Sequence, residues 1–448
     1  MPNSTINNRK QLFSLTWPIF CEAILFSIIG SVDVVMLSRY SDNAVGAVGV
    51  VNSILFLFQV ISNIITTGTG ILCAQYIGAG KGMKEKQPLV LGAVLVNGIL
   101  GLIFSLGVVI FADPILALMN IEKGLYIHGK EYLTIVGGFL FIQMLTMTFT
   151  VLIRSHGKTK ATMVFSLLMN LTNLVLNYIL IHGKLGFPAM GAAGAATATV
   201  ISKTLCFLLA GFYLFKKVLP GMRLKLNWKE IHHAIRRILS FGAPAAGEQI
   251  SYTLAKLVVT AMVTSLSVVA VNTFSYLNTV VSYVYLFSLS LGQGASIIIG
   301  WESGKKRIEE AKSVCAFSLR CSFWFAMAAM GVLCLLRRPI FGMFTSDGDI
   351  IALGASVLLT NFILEAGRSR NLILVNALRA AGDVNFPLYI GLFSMWFFGV
   401  GASWVLGIGL GWGLAGIWIG LGLDELFRAI GMQIRWNKGN WIKLIMDK

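Results

Sequence analysis

Residues 12–37 read Leu12-Phe-Ser-Leu-Thr-Trp-Pro18-Ile-Phe-Cys-Glu22-Ala-Ile-Leu-Phe-Ser-Ile-Ile-Gly-Ser-Val-Asp33-Val-Val-Met-Leu37. At 1.5 Å per residue this run is long enough to cross the roughly 30 Å hydrocarbon core of a bilayer as a helix. Only Glu22 and Asp33 in it ionise. Pro18 leaves one backbone carbonyl unpaired and permits a bend. The stretch therefore predicts a membrane helix that keeps a carboxylate inside the apolar phase.

The same writing returns later in the chain, in the same order. Pro18 and Glu22 recur as Pro244 and Glu248, Gly68-x-Gly70 as Gly292-x-Gly294, Gly80-Lys81 as Gly304-Lys305, and Pro114 as Pro339. Arg154-x-x-Gly157 recurs as Arg379-x-x-Gly382, and Gly191-x-x-Gly194 as Gly413-x-x-Gly416. In so apolar a chain, a long repeat in one orientation predicts two like helical bundles facing each other across a central cavity, a layout used by secondary transporters.

Composition agrees on the solvent. Hydrophobic residues make up 56% of the 448, charged residues 12%, and mean hydropathy is +0.79; soluble domains carry about a quarter charged residues. Apolar runs long enough to span lie at 12–37, 45–78, 88–111, 132–153, 162–182, 190–215, 238–263, 267–300, 313–336, 350–377, 385–407 and 411–434. The predicted fold class is thus an all-α integral membrane protein of twelve helices in two six-helix bundles, residues 1–215 and 238–448, joined by a cytoplasmic linker at 216–237. That linker is amphipathic, with Pro220-Gly221 as a break and a basic face suited to the lipid surface.

Placing both termini in the cytoplasm puts 25 of the 36 Lys and Arg residues inside, and only Arg39, Lys123, Lys130, Lys184, Arg337 and Arg338 outside. This is the bias that orients membrane proteins. The net charge of +17 is then an orientation signal, and the absence of a basic soluble module speaks against nucleic-acid binding. The polar N-terminus ending in Arg9-Lys10 reads as the flank of a retained helix of a plasma-membrane protein, not as a cleaved signal. The six cysteines form no CxxC pair and read as small buried hydrophobes. His232-His233 has no acidic or cysteine cluster nearby that would make it a metal site.

Ionisable side chains within spans are the default functional candidates. Asp33 has no cation nearby in sequence before Arg39, and lies roughly 8 Å inside the outer helix end. An acid so placed suits uptake of a proton, or of Na⁺ if other oxygens converge. Asn170, Asn173 and Asn177 share one helix face by their spacing, and Thr197 and Thr199 offer hydroxyls from the next helix. The structural alternative is that Lys203 neutralises Asp33 and the asparagines are interhelical hydrogen-bond partners. In the second bundle Glu365 and Arg368 lie one turn apart, opposite Leu140 and Gln143 in the repeat register. Glu248 matches Glu22, which points to a shared structural role, and Lys256 lies two turns beyond as a partner for Glu248.

Pro18 with Val32-Asp33 and Arg39, Gln75-Tyr-Ile-Gly-Ala-Gly80, Asn173-Leu-Val-Leu-Asn177, Gly194-Ala-Ala-Thr-Ala-Thr-Val-Ile-Ser202 and Ala377-Leu-Arg-Ala-Ala-Gly-Asp383 together resemble the multidrug and toxin extrusion (MATE) family over the whole chain. The resemblance implies two six-helix lobes and export of bulky, often cationic organic compounds in exchange for H⁺ or Na⁺. It further implies a coupling-ion site at Asp33, Asn173, Asn177 and Thr199. Asn177 stands where some relatives carry a second aspartate. No HExxH, GxSxG or phosphate-binding P-loop occurs, so neither an enzyme nor an ATP-driven pump is expected. The reading is an efflux antiporter, active as a monomer in contact with lipid, without cofactor, taking a small organic substrate. A flippase for lipid-linked precursors, of the same broad superfamily, is the alternative.

Overall fold

The computed structural model describes residues 2–222 and 227–446, so Met1, residues 223–226 of the linker and the last two residues lie outside it. Every regular element among the described residues is helical. They run α1 (Pro2–Ser38), α2 (Asp42–Gly78), α3 (Met83–Ile110), α4 (Ala112–Leu118), α5 (Lys123–Gly138), α6 (Leu140–Ser155), α7 (Thr159–His182) and α8 (Gly191–Tyr213). After the linker come α9 (Trp228–Thr264), α10 (Val268–Gly304), α11 (Ile308–Leu335), α12 (Arg337–Gly342), α13 (Gly348–Ala381), α14 (Asn385–Ser394), α15 (Gly413–Lys438) and α16 (Asn440–Met446). Wider π turns extend α8 over Leu214–Val218 and α14 over Met395–Ala402 and Val405–Gly409.

Among the described residues, nine helices are long and apolar enough to cross a membrane, and the α5–α6 pair, bent by 47° at Phe139, would make a tenth. The sequence reading counted twelve. The difference falls on α9 and α15, which are continuous helices but carry too many charged and other polar residues to pass as apolar spans. α9 carries Lys229, Glu230, Arg236 and Arg237 in its first turns and then Glu248 and Lys256; α15 carries Asp424, Glu425 and Arg428. The amphipathic part of the linker is also no separate element but the start of α9. There Ile231, Ala234 and Ile238 are buried, while Lys229, Glu230, His232 and His233 are exposed.

The chain divides into two compact units, whose borders differ from the 1–215 and 238–448 partition. One comprises Cys21–Ile77 and Lys81–Ala243, the other Met1–Phe20, Gly78–Gly80 and Pro244–Lys448; we call them the N-terminal and C-terminal units. The cause is helix length. α1 and α9 each run for 37 residues, or about 55 Å, well beyond a bilayer core, and each changes unit beside its proline, Pro18 or Pro244.

Each unit has its own apolar core. In the N-terminal unit Leu37, Val51, Leu133, Leu140 and Ile181 are buried together. In the C-terminal unit one cluster gathers Leu291, Ile298, Leu374 and Trp441, another Leu277, Met330, Val357 and Trp418. Glycine sets the closest helix approaches: a Cβ on Gly194 would lie 2.7 Å from the Leu180 carbonyl oxygen, and one on Gly416 2.6 Å from that of Leu406. The repeated Gly-x-x-Gly is thus a packing face within each unit.

Candidate functional site

The repeated Arg-x-x-Gly motif ends a helix and sets an arginine. Gly157 and Gly382 both take the left-handed conformation, φ +75° and +102°, which costs a residue with a Cβ about 1–2 kcal/mol. Each donates its N–H back to its arginine's carbonyl, at 2.8 and 2.9 Å. Arg154 then pairs with Glu22 at 2.7 Å, and Arg379 with Glu248 at 2.5 Å. Glu22 also accepts from Ser166 Oγ at 2.7 Å. Two matching motifs therefore build the same inter-helix ion pair twice. Lys256, offered above as the partner of Glu248, is not its partner, because Arg379 already occupies that carboxylate.

Asp33 lies half-buried on α1 against α7. Asn177 Nδ2 donates to Asp33 Oδ1 at 2.8 Å. Asn173 has two amide orientations. In one, its oxygen accepts from Asn177 at 3.1 Å; in the other, its nitrogen reaches the two Asp33 oxygens at 3.1 and 3.2 Å. The second is electrostatically preferable because it turns a donor, not a carbonyl dipole, toward the carboxylate. Asn173, Asn177 and Asn170 are buried on the face their spacing predicted, and Asn170 Nδ2 and Asn177 Oδ1 find no protein partner.

Thr199 joins this group at one remove. Its hydroxyl donates to the Ala195 carbonyl at 2.8 Å, and buried Tyr132 lies beside both Thr199 and Asp33. Tyr132 was not singled out from sequence. Thr197 likewise donates to a backbone carbonyl, that of Ala193. Lys203 does not neutralise Asp33: its ammonium donates to Gln143 Oε1 at 2.6 Å. Among the described residues no ion pair reaches Asp33, so its hydrogen bonds come from amides alone.

The polar cluster of the C-terminal unit is larger than Glu365 and Arg368. Glu365, fully buried, pairs with Arg368 at 3.0 Å, and Arg368 reaches Glu425 at 3.3 Å. Arg428 bridges Glu425 at 3.3 Å and Asp424 at 2.6 Å, while Asn371 donates to Glu425 at 2.8 Å. Arg428, one of the 25 basic residues that the predicted topology puts on the cytoplasmic side, is only 4% exposed. Asp424 and Glu425 were missed. Their signal was there, since two acids followed three and four residues on by an arginine, inside an apolar run, can satisfy one another on one helix face. Arg370, by contrast, stacks over Phe323 at 4.5 Å.

The two units place polar pairs at matching positions with opposite sense. In the N-terminal unit Lys203 of α8 donates to Gln143 of α6; in the C-terminal unit Arg368 of α13 donates to Glu425 of α15. Among the described residues no group of three or more His, Cys, Asp and Glu side chains could hold a metal, and all six cysteines are free.

Comparison with known proteins gives this architecture its place. The chain is 38% identical over 437 residues to the uncharacterized transporter YisQ of Bacillus subtilis, covering 97% of this chain and 95% of that one. It is 29% identical to the probable multidrug resistance protein NorM of the same organism, over 95% and 94% of the two chains. A crystal structure of a variant of a Vibrio cholerae MATE transporter superposes with a TM-score of 0.89 at 18% identity, over 98% of this chain and all of the other. The MatE family model matches twice, over residues 18–179 and again over 244–405, each match opening on one of the paired prolines. The chain therefore belongs to the MATE family of multi-pass membrane transporters.

Proposed function

We propose that the protein is a secondary antiporter that exports amphipathic organic compounds in exchange for H⁺ or Na⁺. The observation that carries this reading is Asp33, a half-buried carboxylate that among the described residues is hydrogen-bonded only by amides and has no cation paired to it. A charge held in this way in an apolar phase is costly, and binding a cation removes the cost. A proton needs only the carboxylate. Na⁺ would draw in addition on the Asn177 carbonyl oxygen, which has no partner, and on the Thr199 and Tyr132 hydroxyls. The probable multidrug resistance function of the NorM relatives supports an organic substrate.

Occupancy of Asp33 then biases alternating access: the loaded and unloaded cluster differ by one charge, and a ligand shifts a conformational equilibrium by its differential affinity for the two states. In this reading α5–α6, α9 and α15 complete twelve passes, two six-helix repeats are related by the paired motifs, and both termini face the cytoplasm of a plasma-membrane protein. One chain suffices, since both repeats are on it.

The test is efflux of ethidium from drug-sensitive cells expressing the wild type or Asp33→Asn, with pH gradient and Na⁺ varied independently. Gradient-driven efflux in the wild type, reduced to background in Asp33→Asn, is the expected result, and the ion that drives it identifies the coupling cation. Normal transport by Asp33→Asn would remove Asp33 as the coupling residue. A wild type that moves no dye under any gradient would favour the lipid-precursor flippase.

A further inference from the structure

The C-terminal unit holds a cavity of about 310 Å³ that the Asp33 cluster does not use; all of its lining residues belong to this unit. That size is at the lower end of small-molecule sites, roughly 300–1,000 Å³. Part of the wall is apolar and aromatic, with Phe274 and Trp418 packed edge to face at 5.6 Å beside Val281 and Leu364. The polar part comes from α9, α10, α13 and α15, and its donors and acceptors are unequal in number.

The acids on the wall are occupied. Glu425 gives Oε1 to Arg368 and Arg428 and Oε2 to Asn371. Asp424 gives Oδ2 to Arg428, and its Oδ1 is enclosed, out of reach of anything in the cavity. Glu365, the third acid of the network, is fully buried and does not line the cavity. No carboxylate oxygen of this network is thus left on the wall to meet a cation.

Donors are left. Lys256 is exposed and among the described residues has no carboxylate within ion-pair distance. Tyr252 precedes it by one turn of α9, so the two share a face. Tyr252 also lies beside Tyr285 of α10 and Arg368 of α13, and the Arg368 guanidinium stands 5.7 Å from the Tyr285 ring centroid. Among the described residues neither phenol hydroxyl makes a hydrogen bond. Arg368 uses Nε on Glu425 and Nη1 on Glu365, which leaves Nη2 without a partner among the described residues. An ammonium, one guanidinium nitrogen and two phenols therefore line a single cavity with hydrogens to donate. Donors in an apolar enclosure are costly until an acceptor meets them, and an anionic acceptor meets them best.

We propose that this cavity binds a small organic monoanion, a carboxylate on an aromatic or branched apolar body, with the carboxylate held by Lys256, Tyr252 and Arg368. The apolar body packs on Phe274 and Trp418, and desolvation inside the cavity strengthens the charged contacts. The site rests on the C-terminal unit alone and stands whether or not Asp33 couples transport.

The experiment titrates purified full-length protein at neutral pH with matched probes by ligand-detected NMR: 4-ethylbenzoate as the anion, 4-ethylbenzamide as its neutral counterpart and 2-phenylethylamine as the cation. We expect the benzoate to bind roughly tenfold more tightly than either of the others. Lys256→Gln is expected to bring the benzoate down to the affinity of the benzamide, and Tyr252→Phe to weaken it about threefold. Benzamide binding reports the apolar wall and is expected to be the same in both variants as in the wild type. Equal or tighter binding of the amine, no binding of the benzoate, an unchanged benzoate affinity in Lys256→Gln, or a loss of the benzamide in step with the benzoate would each overturn the proposal. The titration uses no ion gradient, so its failure and a failure of ethidium efflux in the Asp33 experiment are separate results.

Discussion

At the scale of single residues, the twin ion pairs Glu22–Arg154 and Glu248–Arg379 explain why two glutamates survive inside otherwise apolar helices. Each carboxylate is held by a guanidinium placed at a helix end, so neither faces lipid as a bare charge. Removing one partner leaves the other charge buried and unpaired, which costs about 3–5 kcal/mol where burial is complete. Arg154→Met is expected to lower the thermal midpoint of the detergent-solubilised protein by several degrees. Adding Glu22→Gln in the same chain is expected to recover much of that loss. Equal midpoints for the single and double variants would mean the arginine stabilises by packing alone. Asp33 differs because, among the described residues, no cation pairs with it, and that contrast is what the proposed coupling role rests on.

At the scale of elements, the glycines of the repeated motifs work as stops and contact points. Gly382 ends α13 in the left-handed region, where its N–H returns to the Arg379 carbonyl. Gly382→Ala is expected to destabilise by about 1–2 kcal/mol and to disturb the Arg379–Glu248 pair; a matching loss is expected for Gly157→Ala at the end of α6. Both are checked by the unfolding midpoint, and an unchanged midpoint would mean the turn accepts a Cβ without strain. Asp347 starts α13 by accepting from the Asp349 and Ile350 amides at 2.9 and 3.4 Å, an N-cap of ordinary chemistry. Ser267 does the same for α10 through Ala270 at 3.0 Å.

At the scale of the whole molecule, basic residues concentrate on one side of the predicted topology, and the proposed orientation with both termini in the cytoplasm follows from that bias. Single cysteines introduced at Asn7 and at Lys184, in a variant lacking the six native cysteines, provide the check. A membrane-impermeant thiol reagent applied to intact cells is expected to label the cysteine at 184 and to spare the one at 7 until the cells are opened. The reverse pattern would invert the orientation.

The membrane class, the all-helical fold, the paired prolines and the asparagine face of α7 were legible from sequence, because hydropathy over a span, helical spacing and motif register are local properties of the chain. Asp33 could be singled out for the same reason: a charge in an apolar run is conspicuous without any fold. Partners could not. Glu248 chose Arg379, 131 residues away, over Lys256 on its own helix, and Lys203 chose Gln143 over Asp33, because such pairings depend on which helix faces meet. The five-residue network around Glu425 and the cavity it lines exist only once α9, α10, α13 and α15 pack together. Sequence thus determined the solvent, the elements and the conspicuous charges of this protein, while tertiary packing alone decided which of those charges neutralise one another and which stay unpaired.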